Sequence, residues 1–445
     1  MENGKLKREL GVFDAVSIIG GIVVGSGVFY VGSFVIERAG FSIGWATAAW
    51  IFAGLYSLMS GLCYAELGAA MPEAGGAYVY LKKAYGPIVA FMMGWTDFWI
   101  TCSASISAIA LAFATYLSVF VPLSAVGVKI AAIALIVLLS VINILGVKNS
   151  GRLQSVLMVL KIIPIVAIIF FGFIHFDEAI NPVSFGFEGE GSMISGFALA
   201  VIAALWAYDG WSSVTLVTEE LKNPQKNLPK AIFIAIGGIT VIYTVLNFIM
   251  MKMLPLAEMA ADPMPASSVS TILFGKVGAM FITVAILVSI LGSCNGQLLA
   301  FPRETFAMAR DKRFFTICGK VHPKFNTPWV AQIFMMVVSI AVLFIGSFEQ
   351  ITVLVVFTQS LFYTMAIIAV FVLRKKHPEM ERPYKAFGYP VLPAITALCA
   401  ILLLSNALIE DPKGSVLGLI VPLTGIPLYF YFKKKYGRIE GLEDA

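Results

Sequence analysis

Charged residues are scarce in this chain. Asp, Glu, Lys and Arg make up 13% of its 445 residues, whereas hydrophobic residues make up 59%. A soluble domain of this length needs far more polar surface to cover its core. The composition therefore excludes an ordinary soluble protein and favours a chain that lies in a lipid bilayer.

Histidine and cysteine are also scarce. The three histidines lie in loops or at the ends of apolar runs, so they cannot form a proton relay inside a membrane. None of the five cysteines falls in a predicted outside loop, so we expect no external disulfide. The sequence has no phosphate-binding loop, no HExxH motif and no metal-type Cys/His spacing. We therefore expect no metal, no cofactor and no catalytic residues.

Long hydrophobic runs, by contrast, recur from end to end. A run of about 20 residues crosses about 30 Å of hydrocarbon as a helix. The sequence predicts an all-α, polytopic membrane protein of about twelve spans. The predicted spans are 12–36, 43–71, 87–120, 127–147, 154–175, 194–219, 231–254, 276–308, 328–346, 351–374, 390–409 and 415–432.

The basic residues predict the orientation of these spans. If the N-terminus is cytoplasmic, 25 of the 31 Lys and Arg residues fall in cytoplasmic segments, which is the positive-inside pattern. The sequence thus predicts a multi-pass protein of the cell membrane with both termini in the cytoplasm. The net charge of +5 then reflects contact with an anionic lipid surface, and we expect no nucleic-acid partner.

The first span contains an unusual cluster of glycines around Gly25-Ser26-Gly27. Glycine inside a helix costs about 1 kcal/mol relative to alanine, and an unwound stretch survives in a membrane only where it lines a cavity. A break here would offer backbone N–H groups to a carboxylate. It would also offer carbonyls to an ammonium group. The alternative is a small-residue surface for helix packing.

The sixth span has a second interruption, Tyr208-Asp209-Gly210, in an otherwise apolar run. A carboxylate at this depth costs about 2.5–3.5 kcal/mol. Asp209 is thus either a specificity or gating residue or a local cap on a kinked helix. Because spans one and six begin two five-span halves, matching interruptions are typical of a binding site between inverted repeats.

Five motifs carry a resemblance to a known family. They are IVVGSGVF (22–29), PEAGGAYVYLKKAYG (72–86), WAYDGW (206–211), TEELKNPQKNLPKAI (218–232) and FPRETFAMARD (301–311). Together they resemble the L-type amino acid transporter family of the amino acid–polyamine–organocation superfamily, and its bacterial members in particular. The resemblance implies a LeuT-type fold with helices one and six broken. It divides the chain into 1–11, 12–175 (first repeat), 194–374 (second repeat), 390–432 and 433–445.

The family also implies roles for individual residues. The substrate carboxylate would bind the backbone of the first break, the amino group would bind carbonyls of helices one and six, and Trp206 would be an external gate. Substrate-binding residues implied in this way, together with the second interruption, are Ile22, Val23, Gly25, Ser26, Gly27, Ala204, Leu205, Trp206, Tyr208, Asp209, Gly210 and Tyr243.

Lys161 is the only basic residue deep inside a span. It either extends to the membrane surface or has a partnered role in the interior. In similar transporters a lysine lies between helices one and eight, where sodium-coupled relatives hold an ion. Its expected partners are carbonyls near Gly20 and a hydroxyl of Ser289 or Ser293. A buried lysine can also lose its proton, which leaves proton coupling open.

The resemblance implies a sodium-independent exchanger of small neutral L-amino acids, such as alanine, serine and cysteine, that works by alternating access. The alternative is proton-coupled uptake, or exchange of cationic amino acids. The loop between spans three and four has no cysteine, so we expect no disulfide-linked heavy subunit. Glu66 and Asp97 are expected to pair with nearby lysines at the membrane interface.

Overall fold

The computed structural model describes residues 6–25, 27–118, 120–175, 180–189, 192–262, 264–344, 348–410 and 412–437, and its regular elements are helices. The α-helices are α1 Val12–Val23, α2 Val31–Arg38, α3 Ile43–Ala70, α4 Ala77–Tyr85, α5 Pro87–Thr96, α6 Cys102–Leu117, α7 Ala125–Ile144, α8 Val147–Ile174, α9 Met193–Ala207, α10 Pro224–Met253, α11 Leu256–Ala261, α12 Pro265–Phe274, α13 Lys276–Ala300, α14 Pro302–Arg310, α15 Trp329–Val342, α16 Phe348–Lys376, α17 Val391–Glu410 and α18 Pro412–Tyr436.

Seven helical segments among the described residues are long and apolar enough to cross a membrane. They are Ile43–Ala70, Pro87–Leu117, Ala125–Ile144, Val147–Ile174, Met193–Glu220, Pro224–Met253 and Met280–Arg310. Shorter apolar helices supplement them, including α1 and α15. Large apolar side chains such as Ile130, Phe170 and Val241 are exposed on the outside of the bundle, as a lipid-facing surface requires. The predicted all-α membrane class is confirmed.

Two predicted spans begin earlier in the structure than hydropathy indicated. Helix α8 begins at Val147 and α10 at Pro224, whereas the apolar runs begin at 154 and 231. The additional turns carry charged residues, including Lys148 and Lys230, which are exposed. Hydropathy detects only the part of a helix that lies in hydrocarbon, so polar first turns escape it.

Both predicted helix breaks are present. The first span stops at Val23 and resumes as a short 3₁₀ turn, Gly27–Phe29, followed by α2. The sixth span stops at Ala207 and continues as a 3₁₀ segment, Trp211–Glu220. Gly210 between them has φ +104°, a conformation that only glycine adopts readily.

Both ends of the described chain lie on one face of the bundle, here called the termini face. The backbone N–H groups of Glu9 and Leu10 donate to the Glu220 carbonyl at 2.9 and 3.0 Å. The Arg303 guanidinium pairs with the Glu220 carboxylate at 2.7 Å, and both side chains are buried. Near the other end of the chain, Arg313 Nη1 donates to the Gly437 carbonyl at 2.9 Å. These contacts pack the N-terminal segment against the end of the sixth span.

Candidate functional site between the two broken helices

A cavity of about 1080 Å³ lies between the two breaks. Of the predicted site residues, it is lined by Ile22, Val23, Gly25, Gly27, Leu205, Trp206, Asp209, Gly210 and Ser293. Ser26 lies outside the described residues. Ala204, Tyr208 and Tyr243 are buried and do not line the cavity. The structure thus brings both interruptions to one cavity.

Glycine allows the two breaks to approach each other. A Cβ atom on Gly210 would lie 2.5 Å from Ile22 Cγ2, and one on Gly27 would lie 3.1 Å from Trp206 Cζ3. A Cβ on Gly25 would meet Ser293 Oγ at 3.4 Å. Side chains at these positions would separate the helices or fill the space beside the exposed backbone.

Two of the predicted tyrosines support the backbone from behind the cavity. The Tyr243 hydroxyl donates to the Val23 carbonyl at 2.9 Å, and the Tyr208 hydroxyl donates to the Trp50 carbonyl at 3.1 Å. Their rings are 5.2 Å apart. Since the Val23 carbonyl already accepts from Tyr243, the tyrosines orient the broken segment and leave the cavity to other groups.

Lys161 is fully buried and faces the first break. Its Nζ donates to the carbonyls of Gly21 at 2.7 Å and Val24 at 2.6 Å. The same carbonyls accept from Ser293 Oγ at 3.0 Å and Ser289 Oγ at 2.9 Å. The structure thus brings the lysine and both predicted serines together, and it excludes snorkelling for this side chain. The ammonium group thus lies between two backbone carbonyl oxygens, which are ligands that also suit a bound cation.

Gly20 is not a partner of the lysine. Its carbonyl accepts the helical hydrogen bond from the Val24 N–H at 2.8 Å, so it remains part of α1. The carbonyls that the lysine binds begin at the next residue, Gly21, because α1 ends here and its last carbonyls lose their intrahelical donors. Sequence alone does not tell which residue of a glycine cluster ends the helix.

Trp206 lies over the cavity with 40% of its side chain exposed. Its ring is 5.7 Å from that of Tyr30, another residue of the lining. The pair spans the gap between the first and sixth helices.

Asp209 is exposed to the cavity, and its carboxylate points towards α16. Both of its oxygens lie 3.3 Å from Gln359 Nε2, which also donates to the Tyr363 hydroxyl at 2.6 Å. The Tyr363 hydroxyl is 2.9 Å from Ser212 Oγ. These contacts connect the second break to a neighbouring helix, so Asp209 does more than cap its own helix.

The expectation for two other acidic residues has mixed results. Glu66 is in a salt bridge as expected, but with the arginines Arg374 at 2.7 Å and Arg382 at 3.6 Å. Asp97 instead lines the cavity, close to Cys102 and Glu304, so the expected lysine pairing is wrong for this residue. The sequence analysis gave no role to Glu304, which lies within the motif FPRETFAMARD (301–311).

Comparisons with known proteins agree with this geometry. Residues 10–430 match the family model of amino acid permeases. The chain belongs to the amino acid permease family. This permease is 35% identical to the serine/threonine exchanger SteT of Bacillus subtilis (strain 168), over 98% of its own length and 99% of the relative. It is 30% identical to the mouse Asc-type amino acid transporter 1 (96% and 82%) and 29% identical to the human cystine/glutamate transporter (97% and 86%).

The family has consequences for the chemistry of the site. This permease is a multi-pass membrane transporter and not an enzyme. Its cavity therefore needs groups that bind and release a solute, and the broken backbone supplies such groups without catalytic side chains. The amino acid is the substrate that its relatives share.

Proposed function

We propose that this permease exchanges small neutral L-amino acids such as alanine, serine and cysteine by alternating access, without sodium. The main support is the pair of helix breaks that meet at one cavity of about 1080 Å³. A relative that is 35% identical is named a serine/threonine exchanger, and another is named an Asc-type amino acid transporter.

In this proposal the substrate binds as a zwitterion. Its carboxylate accepts from backbone N–H groups of the first break, for which the resemblance implies Gly25, Ser26 and Gly27. Of these, Gly27 begins the resumed helical turn. Its ammonium group donates to carbonyls at the ends of α1 and α9, near Ile22 and Leu205. Both of these residues line the cavity, and Trp206 closes it from outside.

Sodium independence follows from Lys161 in the same proposal. The Lys161 ammonium, Ser289 and Ser293 converge on the carbonyls of Gly21 and Val24. A tethered cation at this position stabilises the break that a bound sodium ion would otherwise have to stabilise.

The same proposal covers the repeat organisation and the membrane orientation. Residues 12–175 and 194–374 form the inverted repeats, followed by 390–432, and the termini face is cytoplasmic because basic residues concentrate there.

We further propose that the permease resides in the cell membrane and works without a disulfide-linked subunit. Cys318, in the loop before α15, is buried, and burial raises the pKa of its thiol to about 12, which makes it a poor disulfide partner.

Exchange in proteoliposomes tests the function. Vesicles loaded with unlabelled serine should take up labelled serine in choline buffer as fast as in sodium buffer, whereas empty vesicles should not. Uptake into empty vesicles driven by a pH gradient would contradict exchange and support proton-coupled uptake.

N-acetylserine and serinamide each lack one charge of the zwitterion. If either competes as well as serine, the backbone site is wrong.

Exchange of cationic amino acids remains a second candidate because the Asp209 carboxylate is exposed to the cavity. A competition series of labelled serine against the twenty amino acids distinguishes the two candidates. If arginine competes strongly with serine, and if the Asp209→Asn variant loses this competition, the result would support exchange of cationic amino acids. No competition by arginine supports neutral substrates.

A further inference from the structure

A pair of carboxyl groups lies in the cavity lining and has no role in the proposed substrate site. Asp97 lies at the junction of α5 and α6, and Glu304 lies in the first turn of α14. An oxygen of Asp97, an oxygen of Glu304 and the Sγ atom of Cys102 all lie within 4.8 Å of one another.

A local irregularity of the third span builds this cluster. Residues Asp97–Thr101 form a π-helical turn, in which the Cys102 N–H donates to the Asp97 carbonyl five residues earlier. An α-helix would turn residues five apart to different sides, whereas the wider π turn brings Asp97 and Cys102 to one side. Single π turns inside α-helices are frequently found at functional sites.

Two carboxylates within 4.8 Å of each other repel. Ionising both of them inside the bundle without a counter-ion is unfavourable, so the pair favours the binding of one proton. Glu304 is only 3% exposed, and its Oε1 has no hydrogen-bond partner. This oxygen is an unsatisfied acceptor that is shielded from solvent, a situation that is rare in folded proteins.

Among the described residues, no Lys, Arg or His is ion-paired with either carboxyl group. Lys82, near Tyr78, is paired with Asp311, and Arg313 donates to the Gly437 carbonyl. The neighbours that face the pair are Cys102 on α6, the phenols of Tyr64, Tyr78 and Tyr363, and the Asp209 carboxylate. Among the described residues of the lining, the only Lys, Arg or His is Arg38, which contacts the Leu199 carbonyl in the outer half of the sixth span. The nearby Arg303 is paired with Glu220.

We propose that Asp97 and Glu304 form a proton-binding site that holds one shared proton while the termini face is closed. Opening of that face admits water to the pair. The O–H bond of the carboxylic acid then breaks, the proton passes to water, and two hydrated carboxylates remain. Closure takes one proton back from solvent. The closed state is therefore favoured at low pH and disfavoured as the pH rises through the titration of the pair.

Infrared spectroscopy of the purified permease tests for the shared proton directly, whatever the substrate is. The wild type should have a carboxylic-acid C=O band that disappears as the pH is raised. The band should be absent from the Asp97→Asn/Glu304→Gln double variant and present in Glu379→Gln, which alters an exposed carboxyl group. A wild-type spectrum identical to that of the double variant at every pH would overturn the proposal.

The pH profile of serine exchange tests the link to transport. Above the titration of the pair, wild-type exchange should fall by up to about tenfold per pH unit, because one proton is lost. Glu304→Gln cannot lose that proton, so its profile should be flat over the same range, whereas Glu379→Gln should follow the wild type. Gel filtration verifies that each variant is folded. A folded Glu304→Gln variant with the wild-type pH profile would overturn the transport link, even if the infrared band is present.

Discussion

Two buried ionisable side chains, Lys161 and Glu304, lie in the same helix bundle. They differ strongly in how many of their polar atoms have hydrogen-bond partners. Lys161 donates to two carbonyls, which also accept from two serine hydroxyls. Glu304 has an oxygen without any hydrogen-bond partner. A fully satisfied charge rigidifies its surroundings, whereas an unsatisfied one remains available to react with solvent. The comparison teaches that Lys161 holds the first break in place while the carboxyl pair responds to protons.

Removal of the lysine should have the largest effect. Lys161→Met keeps the length of the side chain but loses two hydrogen bonds from a charged donor, each worth about 1.5–3 kcal/mol. We expect exchange to fall about a hundredfold, since about 1.4 kcal/mol is a tenfold change, together with a lower Tm. Lys148→Met, on an exposed turn of the same helix, should change neither. If Lys161→Met exchanges serine at the wild-type rate, the lysine does not stabilise the first break.

Crowding of the lysine should have an intermediate effect. A Cβ at Gly292 would lie 3.0 Å from both Cε and Nζ of Lys161, and overpacking of this kind costs about 1–3 kcal/mol. Gly292→Ala should reduce exchange about tenfold. Gly237→Ala is a matched control within α10, because nothing lies within 4 Å of its Cβ position. Equal exchange by the two variants would contradict a fixed position for the ammonium group.

Loss of one serine hydroxyl should be milder still. Ser289 donates a single neutral hydrogen bond to the Val24 carbonyl, which keeps its bond from Lys161. Such a bond is worth about 1 kcal/mol, so Ser289→Ala should reduce exchange about fivefold. The rate of labelled-serine exchange measures this effect. A loss as large as that of Lys161→Met would show that the serine, and not the lysine, stabilises the break.

The smallest effect on stability is expected at the carboxyl pair. Glu304→Gln replaces a side chain that has an unsatisfied oxygen with a neutral amide that can donate to Asp97. Its Tm should equal that of the wild type or exceed it slightly, in contrast to Lys161→Met. A large decrease in Tm would mean that the carboxyl pair is structural, and the comparison between the two sites would then fail.

The helical class and the two breaks could be predicted from the sequence because each has a local cause. Hydrocarbon thickness determines the length of an apolar run. Glycine clusters and the Asp209-Gly210 pair are unfavourable inside a membrane helix, so they indicate where it stops. The N-terminal turns of α8 and α10 could not be predicted, because polar turns outside the hydrocarbon carry no hydropathy signal.

Site details required contacts between residues distant in the chain. The resemblance directed attention to Lys161 and the serines, but the carbonyls of Gly21 and Val24 become acceptors only where α1 ends. The sequence analysis placed Tyr208 and Tyr243 in the substrate site. In the structure, their hydroxyls donate to backbone carbonyls behind the cavity. The direction in which a side chain points depends on the rotation of its helix about the helix axis, and the packing of neighbouring helices determines that rotation.

The sequence by itself determined that this chain is a helical membrane protein with interruptions in its first and sixth spans. Local hydrophobicity and glycine content are properties of short segments, so they can be read without the fold. Only the tertiary structure decided which groups meet. Lys161 lies beside a break 137 residues earlier in the chain, and Asp97 lies beside Glu304, because helix packing brings distant segments together in a way that no local pattern encodes.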